Sequence, residues 1–78
     1  MIRYAYLLYY GHADDAGKDL LSAWSSPLAA QNAWMRERHD RGWSGWRERK
    51  PNKEYMFRAT ADSGAFLAVQ QVRLEDVP

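Results

Sequence analysis

Ser25 to Gly42 is the one stretch of this chain whose interior and both ends specify a helix, and the rest must be arranged around it. The Ser26 hydroxyl can accept a backbone N–H that the first turn leaves unpaired, and Pro27 falls where a missing N–H costs nothing. At the other end Gly42 can take the left-handed conformation that closes a helix. Arg36, Arg38, His39 and Arg41 lie in the final turns, where the dipole favours positive charge. At helical spacing Ala30, Ala33 and Trp34 form an apolar seam, continued only by Glu37, with Gln31, Asn32, Met35, Arg36 and Arg38 largely outside it. Small alanines let such a helix lie close on a sheet, with Trp34 as its anchor.

Strand patterns occupy most of the remainder. Ile2 to Tyr10 is dense in aromatic and aliphatic residues without Gly or Pro, and reads as a central strand. Gly11 to Gly17 is a run of turn formers, and Lys18 to Ser25 is a second strand that closes a hairpin. Alternation there places Leu21 and Ala23 on one face, and Leu20, Ser22 and Trp24 on the other. From Trp43 to about Lys53 no period is sustained and Gly45 and Pro51 interrupt, so a loop is expected. Glu54 to Thr60 is a third strand, and Asp62-Ser63-Gly64 is a turn in which Gly64 supplies positive φ. Ala65 to Leu74 is a fourth strand, with Phe66, Ala68, Val72 and Leu74 on one face and Leu67 and Val69 on the other. The tail from Glu75 is expected to fray.

The order strand, strand, helix, strand, strand predicts an α+β fold: a four-stranded, mainly antiparallel sheet with one helix packed on one face. All 78 residues form a single domain, small enough that the stability margin is narrow. One helix covers one face, so Tyr9, Trp24, Leu67 and their neighbours are expected to form an exposed apolar surface of the kind that marks a contact site.

Composition narrows the function classes. Without cysteine there is neither a disulfide scaffold nor a thiolate metal site, which suits a reducing compartment such as a bacterial cytoplasm. No stretch approaches the roughly 20 apolar residues of a membrane span, and the N-terminus lacks the pattern of an export signal. A formal net charge of +1 argues against a histone-like nucleic-acid binder, so position matters more than the sum.

Three clusters could carry chemistry, and each has a structural reading that is favoured. His12 with Asp14 and Asp15 offers metal-ligating types but lacks a further ligand, and reads as a solvated turn. His39 and Asp40 are adjacent on a helix and point apart. Ser44 in Gly-Trp-Ser-Gly-Trp has its second glycine one position too early for a nucleophile elbow, and no strand precedes it. No catalytic residue, metal or cofactor is expected.

The run Leu20-Leu21-Ser22-Ala23-Trp24-Ser25-Ser26 leading into Ala30, Ala33 and Trp34 resembles a pattern in small bacterial and phage β-β-α-β proteins. There a hairpin strand ends in Ser-Ser, an Ala-rich helix follows, and a last strand ends in an acidic pair, here Glu75-Asp76. The resemblance implies the fold and no active site. It departs at Glu37, where an aliphatic residue is usual, and in the Trp-rich loop. By type, a compact cysteine-free α+β layout without chemistry is similar to the phage-encoded inhibitors known as anti-CRISPR proteins.

The strongest functional signal is Trp34 to Arg58, where eight cations face four carboxylates while both flanks are slightly acidic. Trp43 and Trp46 are interleaved with Arg36, Arg38, Arg41, Arg47, Arg49, Lys50 and Lys53. Trp and Arg are the residues most enriched among binding hot spots, and guanidinium groups pair with a partner's carboxylates. The same combination serves single-stranded nucleic acid, with cations on phosphates and indoles on bases. Glu37, Asp40, Glu48 and Glu54 interrupt the basic run, which favours a protein surface over a phosphate backbone. The expected function is therefore a non-enzymatic protein-binding module, an inhibitor that occludes a site on a host defence nucleoprotein complex. Single-stranded nucleic acid is the alternative ligand, and the chain is expected to act as a monomer or homodimer. The bland alternative is that Trp43 and Trp46 fold back to complete a thin core.

Overall fold

The computed structural model describes residues 3–12, 17–42 and 45–74. Among them are one helix and five strands: β1 (Arg3–His12), β2 (Lys18–Trp24), α1 (Pro27–Asp40), β3 (Trp46–Arg49), β4 (Phe57–Ala61) and β5 (Ala65–Leu74). The strands form one antiparallel sheet in the order β2-β1-β5-β4-β3. The α+β class, the antiparallel sheet, the single helix and the central place of β1 are as expected. The strand count is not: β3 lies inside the expected loop, so the sheet has five strands rather than four.

The reason is length. Trp46-Arg47-Glu48-Arg49 does alternate, but the five residues between Gly45 and Pro51 are too few to establish a period. Pairing with β4 supplies the missing specification, with Trp46 opposite Ala61, Arg47 opposite Thr60, Glu48 opposite Ala59 and Arg49 opposite Arg58. The third expected strand also begins later, at Phe57. Its first residues are held in a turn by Asn52, whose Oδ1 accepts the N–H groups of Glu54 and Tyr55 at 2.9 and 2.7 Å. Such a side chain offers the backbone an alternative to the ladder.

The helix forms as its ends predict. Ser26 Oγ accepts from the Ala29 N–H at 3.3 Å, and Gly42, at φ 87°, lets the chain leave after Arg41. It lies chiefly across β5, β1 and β2. Ala30 and Ala33 are buried and bring it close, while Trp34 inserts among Tyr6, Leu8, Ala59, Leu67 and Val69. Trp34 Nε1 donates to the Leu67 carbonyl at 3.1 Å, and its ring lies 5.6 Å from that of Phe57. The seam runs on through Arg38, not Glu37. At four residues from Trp34, Arg38 sets its guanidinium 4.7 Å from the indole centroid and is buried.

Two expectations about faces are corrected. Between Leu8 and Tyr9 the register with β2 slips: Leu8 opposes Ser22 while Tyr9 opposes Leu20, leaving Leu21 as an extra residue. This bulge breaks the alternation, so Ser22 and Trp24 stay on the helix side while Leu20 turns to the other. Leu67, expected on the exposed surface, is fully buried under the helix, and Trp24 packs on that side too. Of that trio only Tyr9 lies on the uncovered face, because it opposes Ala68 whereas Leu8 opposes Val69 in the core.

Candidate binding face

Strand alternation sorts the charges of the sheet. The face away from the helix carries Arg3 from β1, Lys18 from β2, Arg47 and Arg49 from β3, and Arg58 from β4, and among the described strand residues no carboxylate. Asp19, opposite Tyr10, and Glu48, opposite Ala59, both fall on the helix side. A basic run interrupted by acids in the sequence thus becomes a cationic face, since residues one apart in a strand point to opposite sides.

The register sets these residues in rows across the sheet. One row reads Arg47, Thr60, Phe66, Gly11, Lys18; the next reads Arg49, Arg58, Ala68, Tyr9, Leu20. Four inter-strand spacings of about 4.8 Å make each row about 19 Å long. The first row has a cation at each end and a phenyl ring between them. That ring lies directly over Gly11, where a Cβ would come within 2.8 Å of Phe66 Cε1 and Cζ.

Loop carboxylates reach two of the cations. Glu54 sits 3.7 Å from Lys18, and Asp62 sits 3.6 Å from Arg47. The cross-strand neighbours Arg49 and Arg58 are fixed by neutral groups instead. Arg49 Nε donates to Thr60 Oγ1 at 2.9 Å and Arg58 Nη1 to the Lys50 carbonyl at 3.1 Å. Like charges directly opposite in a sheet repel, and among the described residues no carboxylate lies within ion-pairing distance of this pair.

Tyr55 reaches over β5 from the loop before β4. Its hydroxyl accepts from Lys18 Nζ at 2.9 Å, and that ammonium also lies 4.4 Å from the centre of the Tyr9 ring. The Tyr55 hydrogen bond, ahead of a smaller opposing effect of burial, holds the Lys18 pKa above its ordinary value of 10.5. Between Tyr55 and Phe66 runs a shallow groove of about 260 Å³, floored by buried Ala68 and walled by Arg58 and Thr60.

The residues named from the sequence are therefore split. Arg47 and Arg49 lie on the uncovered face, with Lys50 and Lys53 exposed in the loop beside it. Arg36 is exposed on the helix, across the molecule from them. Arg38, expected at the surface, is buried against Trp34. Arg41 bonds Glu37 Oε2 at 2.9 Å and stacks 4.1 Å from the Tyr10 centroid, closing the helix end onto β1. Trp46 is half-buried and turned toward the core, away from the arginines beside it in sequence. Trp43 lies outside the described residues, as do Ser44, Asp14, Asp15 and the tail from Glu75. His12 Nε2 is hydrogen-bonded to Tyr10 Oη at 3.2 Å, and His39 Nδ1 lies 3.7 Å from Asp40 Oδ1.

The aromatic residues that accompany the cations of this face are Phe66, Tyr55 and Tyr9, the last two in contact with Lys18, and charge patterning along the chain did not point to them. Alternation in β5 contained part of the signal, because it separates Phe66 from the core pair Leu67 and Val69. Among the described residues no group of three His, Asp or Glu could hold a metal ion, and no helix is long and apolar enough to cross a membrane. Compared with known protein families, curated proteins and solved structures, the chain matches none.

Proposed function

We propose that this chain is a non-enzymatic binding module that docks the uncovered face of its sheet on a polyanionic partner. The reading rests on one observation, the segregation of five cations on that face with the strand carboxylates on the other. Its concrete form is an inhibitor of the anti-CRISPR type, encoded by a phage or mobile element and acting on a host defence nucleoprotein complex. Charge complementarity qualifies where it docks. A cationic face is repelled by the basic channel in which such a complex grips nucleic acid, and attracted to its nucleic acid or to an acidic protein surface.

Reversing charge at the exposed strand β3 tests this. The double variant Arg47→Glu/Arg49→Glu is expected to keep its circular dichroism spectrum, since neither side chain enters the core. Wild type is expected to be retained on immobilised heparin at about 50 mM salt, and the variant to flow through. Equal retention of the two would remove this face from consideration.

A further inference from the structure

We infer that the polyanion is single-stranded nucleic acid, lying across the strands with one base in the groove between Phe66 and Tyr55. The inference rests on the binding-module reading above and names its partner.

Two features of the face are chemically distinct, and one ligand satisfies both. The first is the opposed pair Arg49 and Arg58, held by Thr60 and by the Lys50 carbonyl and lacking a carboxylate among the described residues. Guanidinium forks match phosphate oxygens, and an anion between the two would relieve their mutual repulsion. The second is the groove beside them. Its floor is apolar, Phe66 and Tyr55 are both among its lining residues, and its volume of about 260 Å³ falls below the roughly 300 Å³ at which small-molecule pockets begin. Such a slot takes one flat ring.

An acidic peptide supplies charge for the arginines but nothing that its carboxylates would place in the slot. A nucleotide carries the flat ring and the anion on one unit. Every base has a π-face, so stacking of this kind tolerates any sequence. A duplex keeps its bases stacked and paired and cannot offer one to the slot, which makes the face selective for single strands. Lys18 at the far end of the Phe66 row, about 19 Å from Arg47, gives the strand a second cationic anchor.

The test is fluorescence anisotropy with labelled oligothymidylate and oligouridylate of about 12 nucleotides, and with a duplex of equal length, between about 50 and 200 mM salt. Four phosphates on Lys18, Arg47, Arg49 and Arg58 predict a slope of about −3 in log affinity against log salt, at about 0.7 per phosphate on single strands. Single strands are expected to bind at least tenfold more tightly than duplex. Phe66→Leu keeps an apolar cover over Gly11 and removes the π-face, so it is expected to lose about tenfold in affinity at unchanged slope. Tyr55→Leu, outside the sheet ladder, is expected to do the same and serves if Phe66→Leu fails to fold. Arg49→Gln is expected to weaken binding and reduce the slope by about 0.7. Equal binding of duplex, or full affinity in both ring variants, would overturn the inference. Retention on heparin without any oligonucleotide binding would also overturn it, leave the module reading standing and point to an acidic protein. Failure of both would remove both.

Discussion

Gly11 shows how much of the binding face one residue controls. It sits near the end of β1, paired on both sides in the ladder where glycine is ordinarily unfavourable, and its missing side chain is the space that the Phe66 ring fills. A methyl there would meet Phe66 at 2.8 Å and the Gly17 carbonyl at 3.2 Å. Gly11→Ala is therefore expected to cost about 1–3 kcal/mol, the usual penalty for overpacking, seen as a lower thermal midpoint. In a Phe66→Ala background that cost should fall by half or more, because the contact is with the ring. An undiminished cost would mean that the Gly17 carbonyl, and not the phenyl, sets the requirement. Arg38 makes the complementary point. Its charge suggested a surface role, but its long stem and flat guanidinium let it cover an indole as an apolar residue would.

Among the elements, the helix depends on a single large side chain. Two alanines bring it close to the sheet and Trp34 fills the space between, with an indole N–H satisfied by the Leu67 carbonyl. Trp34→Ala is expected to remove about 3–5 kcal/mol, comparable to the whole stability of a domain this size, and to unfold it at room temperature. A cooperative melt surviving above about 40 °C in that variant would show that the helix is held elsewhere. Strand β3 is the opposite case. Its residues bury little, so it owes its existence to β4, and its short charged edge discourages pairing with other chains. The bulge at Leu21 belongs to the same scale: one extra residue decides that Leu20, more than half exposed, faces away from the helix.

For the whole molecule the governing quantity is the separation of charge between the two faces of the sheet. A net charge of +1 conceals five cations within about 19 Å of sheet width, which repel one another in the free protein. Raising sodium chloride from about 10 to about 150 mM shortens the screening length from about 30 to about 8 Å. The thermal midpoint of the free protein is expected to rise by about 2–4 °C, which corresponds to about 0.5 kcal/mol for a domain this small. A fall over the same range would mean that attraction between charges, including the Lys18–Glu54 and Arg47–Asp62 pairs, outweighs this repulsion, and would count against an excess of positive charge on the face.

The sequence by itself determined the elements whose information is local. The helix was legible because Ser26, Pro27 and Gly42 mark its ends in the chain, and β5 because ten residues give alternation room to declare itself. The sorting of Phe66 and Ala68 from Leu67 and Val69 followed from that period alone. Only the tertiary structure decided β3, since four residues acquire a strand conformation by pairing with β4 and not by their own pattern. It also decided which face each charge takes. Trp46 and Arg47 are neighbours in the chain and lie on opposite sides of the sheet, while Arg49 and Phe66, seventeen positions apart, share one, because direction in a ladder is set by register with strands remote in sequence.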